Sequence, residues 1–302
     1  MIIIYIHKFK SNLMGKNILY YNIPTILAKK EKMIGNTKDL LHYVNLYRSK
    51  ISRNINEFIK RKISKEISSD FSRLFWNAVK TERNFVDTLT ELKNMYDTIP
   101  SSPTYSKGRT DSRIIQLKRW LNPLKNKNLR YLDVGCSEAS ITEGIAKALN
   151  LKTGDIYGCD IFITEEPGGK VIFSRSTPTT LPYEDNQFDL VTTFQALHHF
   201  THPEIMLSEI HRVLKPGGVY IIREHDVRDD HFGVFLDIVH AIYSVVTSSE
   251  QTPESFVSNY ESFYHSKEEW SKKYIIPAGF KFGGLIKTND RFNSYYARYF
   301  KG

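Results

Sequence analysis

The stretch Tyr131-Leu132-Asp133-Val134-Gly135-Cys136-Ser137-Glu138-Ala139 constrains this 302-residue chain more than any other. Apolar residues suited to a buried strand run through an acid, Asp133, into a tight turn at Gly135. Small residues then lead into a helix that begins near Ile141. Gly135 permits a backbone path that a side chain would obstruct, so the turn can approach a ligand closely. Twenty-seven positions after Asp133, a second apolar strand, Ile156-Tyr157-Gly158-Cys159, closes on the carboxylate of Asp160. Strand, turn, helix and strand in that order predict a βαβ unit holding a nucleoside-containing ligand, with the second-strand acid accepting bonds from ribose hydroxyls. Such charge-assisted bonds are roughly twice as strong as neutral ones. The competing reading of Asp160 is a helix cap, a position that Asp also favours.

Downstream text narrows the ligand. Leu181-Pro182-Tyr183-Glu184-Asp185-Asn186-Gln187-Phe188-Asp189-Leu190-Val191 is followed by Ala196-Leu197-His198-His199-Phe200, and then by His211-Arg212-Val213-Leu214-Lys215-Pro216-Gly217-Gly218. This order resembles the class I S-adenosylmethionine-dependent methyltransferases, most closely the type 11 group, from about Leu129 to Arg223. The resemblance implies a Rossmann-like α/β fold: a seven-stranded, mostly parallel sheet with an antiparallel final hairpin, here preceded by a helical N-terminal extension. It implies S-adenosylmethionine as cofactor. The methionine end would lie on the loop of Asp133, Gly135, Cys136 and Ser137, with Asp133 orienting that loop and the cofactor's amino group. Asp160 would hold the ribose, and Ile161 or Phe162 would cover the adenine. Thr177 stands where the family commonly has an acid facing the adenine amino group, and its hydroxyl is a weaker acceptor. Phe194 and Gln195 would border the methionine chain and sulfonium, where an aromatic face gains cation–π attraction; Phe194 reads equally well as core. Family members usually carry glycine at the positions of Ser137 and Ala139, and this chain has neither.

Charge is distributed unevenly. Residues 1–130 hold 26 Lys/Arg against 10 Asp/Glu, and residues 131–302 hold 16 against 23, within a net charge of +9. A basic arm on an acidic domain suggests contact with RNA or another polyanion. The arm's richness in Lys, Asn, Ile and Tyr fits equally well with an AT-rich genome and no such partner. Two cysteines, Cys136 and Cys159, exclude a disulfide scaffold and point to a reducing compartment. The opening Met1–Ile6 run is too short for a membrane span or a signal core, so a cytoplasmic protein is expected.

The organisation expected is a basic segment over 1–37, a helical extension or lid over 38–122 and the methyltransferase domain over 123–302. Helical spacing recurs through 38–97, and Ile99-Pro100-Ser101-Ser102-Pro103 breaks it as a linker. A helix is expected over about 111–120. Strands are then expected near 129–134, 155–161, 170–174, 187–193 and 217–223, alternating with helices near 141–150, 203–214 and 231–246. Residues 247–266 read as a polar insertion. A helix near 267–276 and a hairpin, 280–287 with 291–300, close the domain.

Methyl transfer is an in-line displacement from an already activated sulfonium, so alignment and exclusion of water dominate. A base is needed only where the acceptor loses a proton. His198, Glu224 and His225 are the catalytic candidates, with His199 and Asp226 beside them, because open α/β sheets place active sites at strand C-terminal ends. A lone histidine is more often structural, and no residue is assigned to a metal. The run after the fourth strand lacks the Asn/Asp-Pro-Pro-aromatic pattern of amino-methylating nucleic-acid enzymes, and neither cysteine is placed as a base-carbon nucleophile. The acceptor expected is RNA or a small molecule. The alternative is a weak or inactive protein of this fold that binds RNA or a partner through its arm, motivated by Ser137 and Ala139.

Overall fold

The computed structural model describes residues 39–99, 105–161 and 169–302. The basic segment 1–37, most of the proline linker and Phe162 lie outside them. Four amphipathic helices come first: α1 (Leu40–Leu46), α2 (Arg48–Lys62), α3 (Ser68–Lys80) and α4 (Phe85–Asp97), the last capped by the Asn84 side chain accepting from Asp87 N. Helix α5 (Tyr105–Leu121) leads to β1 (Tyr131–Val134), α6 (Ser140–Leu149), β2 (Ile156–Asp160), β3 (Ile172–Arg175) and β4 (Phe188–Phe194). The chain continues through α7 (Pro203–Val213), β5 (Leu214–His225), α8 (Asp230–Ala241), α9 (Pro253–Asn259), α10 (Lys267–Glu269), β6 (Phe280–Lys287) and β7 (Ser294–Lys301). Both α8 and α10 run on into π-helical turns, Ile242–Thr247 and Trp270–Ile275.

The seven strands form one sheet in the order β3-β2-β1-β4-β5-β7-β6. The first five are parallel neighbours, and β7 pairs antiparallel with both β5 and β6. Alternation along β5 shows why the strands read as continuous apolar runs. Val219 and Ile221 enter one core with Tyr131, Ile145, Leu190 and Tyr296, while Tyr220 and Ile222 enter the opposite core with Leu132, Val191, Leu207 and Trp270. Successive side chains point to opposite faces, and here both faces are covered.

A third core joins α1–α4 to the C-terminal half. Leu40, Val44, Ile55, Phe58, Phe75 and Leu89 pack with Phe235, Ile238, Val245 and Phe256. Helix α5 instead serves the sheet, with Leu117 and Trp120 in the core beside Tyr131. Among the described residues no helix is long and apolar enough to cross a membrane.

Several features differ from the sequence expectation, and helix α5 starts at Tyr105 rather than near 111. Strand β5 starts at Leu214 because Phe188 pairs with Leu214 while Leu190 pairs with Val219, so a bulge absorbs Lys215–Gly218 within the strand. Strand β7 starts at Ser294, since Asp290 Oδ1 accepts from Phe292 N and Ser294 N and holds residues 290–293 as a turn. The polar stretch 247–266 is built into the interior: it contains α9, and it buries Phe256, Ser262 and Tyr264.

Candidate functional site

The parallel strands deliver their C-terminal ends to one edge, and two loops meet there. After β1 the chain turns at Gly135 with φ +77°, and both Gly135 N and Cys136 N donate to Cys159 O at 2.8 and 3.1 Å. A Cβ built on Gly135 would stand 2.7 Å from Cβ of Ala196, in the loop after β4. Glycine is therefore required twice over, for the dihedral and for the close approach. Ser137 and Ala139 adopt left-handed φ values of 48° and 59°. That region is reached freely by glycine and at a cost of about 1–2 kcal/mol by other residues. The loop thus keeps a glycine-like path without the glycines.

Asp160 closes β2 directly against this loop. Its Oδ2 accepts from Ser137 N at 3.0 Å and its Oδ1 from Ile161 N at 2.7 Å. Carboxylate and glycine turn therefore form one cradle, as the spacing of 27 residues predicts. Ile161 is half-buried beside it.

Asp133 acts from beneath. It is 3 % exposed, and its two oxygens accept from Thr142 Oγ1 and Thr192 Oγ1, each at 2.6 Å. It clamps α6 and β4 to β1, with the loop oriented as a consequence and no oxygen directed to the surface. Burial pushes its carboxyl up to about 6, against the opposing effect of the two threonine bonds. Cys136 is buried too, and burial raises its thiol above the ordinary range, which leaves it unreactive.

Two further candidates have other partners in the structure. Thr177 is exposed, and its hydroxyl accepts from Thr179 N within its own turn. The residue of that segment adjoining Asp160 is the buried Ser176, whose N–H donates to Asp160 O at 3.1 Å. Phe194 packs edge-on against Tyr296 at 6.2 Å in the sheet core, the second of its two expected placements.

Gln195 is the hub on the other side of the cradle. It has φ +57°, and its N donates to Arg223 O at 2.7 Å. Its Oε1 accepts from Arg113 Nη2 of α5 at 2.7 Å, and its Nε2 lies 3.0 Å from His225 Nε2. His225 Nδ1 is 2.9 Å from Phe292 O. A carbonyl can only accept, so Nδ1 carries the proton and Nε2 accepts from Gln195. The result is a directed chain from Arg113 through Gln195 and His225 to Phe292.

Glu224 and His198 sit behind it. His198 Nδ1 is 2.6 Å from Glu224 Oε1, which also accepts from His225 N at 2.7 Å, while Oε2 accepts from His198 N at 3.3 Å. Burial pushes the Glu224 carboxyl up, His198 well down and His225 down to about 4. All three catalytic candidates are brought together, yet they are 0, 0 and 3 % exposed. They position Gln195 and the β4 loop from inside and do not present a base to solvent. Asp226, the remaining acid of the strand exit, is ion-paired with Lys267 at 2.6 Å.

His199, a candidate from the sequence, is half-buried beside His198 with ring centroids 4.2 Å apart. Sequence reading missed its neighbours: His240 is half-buried with its ring centroid 5.3 Å from that of His198, and Tyr264 stacks on His198 at 5.2 Å. Asp237 is buried and accepts from Tyr260 Oη and Ser262 Oγ, which fixes this wall. Burial pushes Asp237 up to about 7. Nothing in the local patterns around Arg113, His240 or Tyr264 marks them, because each arrives from a distant segment.

Comparison with known proteins finds similarity to methyltransferases. Residues 132–222 match the family model described as a methyltransferase domain. An uncharacterized methyltransferase of Schizosaccharomyces pombe is 30 % identical over 153 residues, covering 42 % of this chain and 54 % of that protein. The sterol 24-C-methyltransferase of the same yeast is 33 % identical over 110 residues, covering 34 % of this chain and 29 % of its own length. The chain thus spans about half, or less, of the length of these curated relatives. An S-adenosylmethionine-dependent methyltransferase from Mesorhizobium loti superposes with a TM-score of 0.44 at 13 % identity, covering 61 % of this chain and 97 % of that one.

Proposed function

Residues 132–222 make this chain a class I methyltransferase of the type 11 group, and from that premise we propose that it transfers a methyl group to an acceptor held beside Gln195, His199 and His240. S-adenosylmethionine is its cofactor and supplies the methyl group already activated on a sulfonium. Asp160 would hold the ribose hydroxyls, the backbone of Gly135–Ser137 the methionine end and Ile161 one face of the adenine. The observation that carries the reading is the meeting of Asp160 Oδ2 with Ser137 N, two residues beyond the Gly135 turn.

The chain's own residues supply alignment. Arg113 and His225 hold Gln195 in a strained left-handed conformation at the rim of β4, and Glu224 and His198 brace that rim from within. Half-buried His199 and His240 are the imidazoles of this group within reach of an acceptor. An acceptor oxygen or nitrogen that loses its proton suits such polar walls. The left-handed path of Ser137 and Ala139 supports reading the loop as one that keeps a glycine-like course.

The test is calorimetric titration with S-adenosylhomocysteine. Asp160→Ala removes charged hydrogen-bond acceptors worth about 1.5–3 kcal/mol each, so its affinity should fall about 10- to 150-fold for each bond lost. Absence of binding to the wild-type chain at millimolar ligand overturns the proposal.

A further inference from the structure

Three imidazoles converge beside the methyl-transfer rim: His198 and His199 on the 3-10 turn Leu197–His199, and His240 in the last turn of α8. Each offers a ring nitrogen, and the three ligand atoms lie within 4.8 Å of one another. The second nitrogen of each ring is already committed. His199 Nδ1 is 2.9 Å from Glu261 O and His240 Nδ1 is 2.8 Å from Leu236 O. Both partners are carbonyls, so both Nδ1 atoms carry protons and leave Nε2 as a free lone pair. His198 Nδ1 faces the Glu224 carboxylate at 2.6 Å, and its Nε2 is buried with no hydrogen-bond partner.

Two features of this cluster cost free energy unless something sits among the rings. A buried ring nitrogen with no partner forfeits a hydrogen bond that water would make. Glu224 is 0 % exposed and, among the described residues, bonds to no Lys or Arg, although buried carboxylates are ordinarily paired with cations or metals. A divalent ion among the rings answers both, since a bound cation reverses the electrostatic cost of an ionised Glu224. The supporting bonds are those of metal-bound histidine, in which the far nitrogen donates to a carboxylate or a backbone carbonyl and fixes the tautomer.

We propose that His198, His199 and His240 form a binding site for a divalent transition-metal ion, with zinc as the expected occupant and Glu224 as the carboxylate behind His198. Imidazole ligands suit Zn, Cu, Fe and Ni rather than Mg or Ca. Three protein ligands leave a coordination position open, the arrangement of catalytic rather than closed structural zinc sites. The alternative grouping of His198, Glu224 and His225 is already spent internally: His225 uses both ring nitrogens, and Glu224 accepts three N–H bonds. The neighbouring wall is pre-built, with Tyr264 stacked on His198 and its Oη 3.2 Å from His240 Nδ1.

The experiment uses the full chain carrying no histidine tag, stripped with chelator and titrated with Zn²⁺ against a competing indicator. One Zn²⁺ per chain at sub-micromolar affinity is expected, and Co²⁺ loading should give the visible absorption of a low-coordinate site. X-ray absorption on the zinc-loaded wild-type chain should count three imidazole nitrogens near 2.0–2.1 Å. Glu224→Gln should weaken zinc about 10- to 100-fold, and His240→Gln or His199→Gln by at least that much. His211→Gln, a histidine packed against Phe280 elsewhere, should leave binding unchanged. Binding only at millimolar zinc, fewer than three imidazoles, or equal losses in His211→Gln and His240→Gln would overturn the proposal. Circular dichroism of each variant identifies those that fold. The zinc site shares His199 and His240 with the proposed acceptor wall but not with the cofactor cradle at Asp160 and Gly135; titration with S-adenosylhomocysteine on the same samples reports the methyl-transfer reading separately, so either can fail alone.

Discussion

Substituting Gly135 by alanine should destabilise the protein by about 3 kcal/mol, and the loss can be divided into two physical parts. The first is conformational: at φ +77° a side chain costs about 1–2 kcal/mol. The second is steric: the new methyl would meet Ala196 Cβ at 2.7 Å, in a well-packed region where overpacking costs about 1–3 kcal/mol. Removing the opposing methyl with Ala196→Gly relieves only the second part. Urea unfolding of the wild type, both single variants and the double variant closes a double-mutant cycle. Its coupling energy should be about 1–3 kcal/mol in favour of the double variant, with about 1–2 kcal/mol of Gly135→Ala left unrecovered. The same displacement should move Ser137 N away from Asp160, so affinity for S-adenosylhomocysteine should fall alongside stability. A Gly135→Ala loss below about 0.5 kcal/mol, or a coupling within about 0.5 kcal/mol of zero, would refute the close packing of the two loops.

Further outcomes follow from the buried polar groups. Burial pushes the Asp237 carboxyl from its ordinary 3.8 up to about 7, so its contribution is complete below about pH 4 and is lost as pH rises through about 7. A shift of about three units corresponds to roughly 4 kcal/mol as an order of magnitude. Asp237→Asn, which retains an acceptor for Tyr260 and Ser262, should therefore flatten the decline in unfolding free energy between pH 5 and pH 8; an unchanged slope would sink the assignment. Arg113→Ala removes a charged bond to Gln195 worth about 1.5–3 kcal/mol, and chemical denaturation showing less than about 0.5 kcal/mol would detach α5 from the site. Ser137→Gly relieves a left-handed φ of 48° at an exposed position and should stabilise by up to about 1 kcal/mol, measured as a raised urea midpoint.

The meeting of the Gly135 turn with Asp160 was legible because its determinants are local. Strand, turn and helix from Tyr131 to Leu149, and the strand ending at Asp160, are each specified by short-range pattern, and right-handed βαβ geometry then brings the two strand ends together. The bulge at Lys215–Gly218 and the late start of β7 were not legible, because register depends on which strand lies alongside. The surroundings of Thr177 and Phe194 were not legible for a related reason: position in a motif does not say whether a side chain turns to its own loop or into the core.

By itself, the sequence determined a parallel sheet covered on both faces, the glycine turn and the acid that meets it, since apolar period and glycine's dihedral freedom are properties of neighbouring residues. Only the tertiary structure decided that His198, Glu224 and His225 are enclosed, that Arg113 reaches Gln195 from α5, and that His240 joins His198 and His199. Those contacts join segments from distant parts of the chain, and burial, which sets their charge and chemistry, exists only once the cores have closed around them.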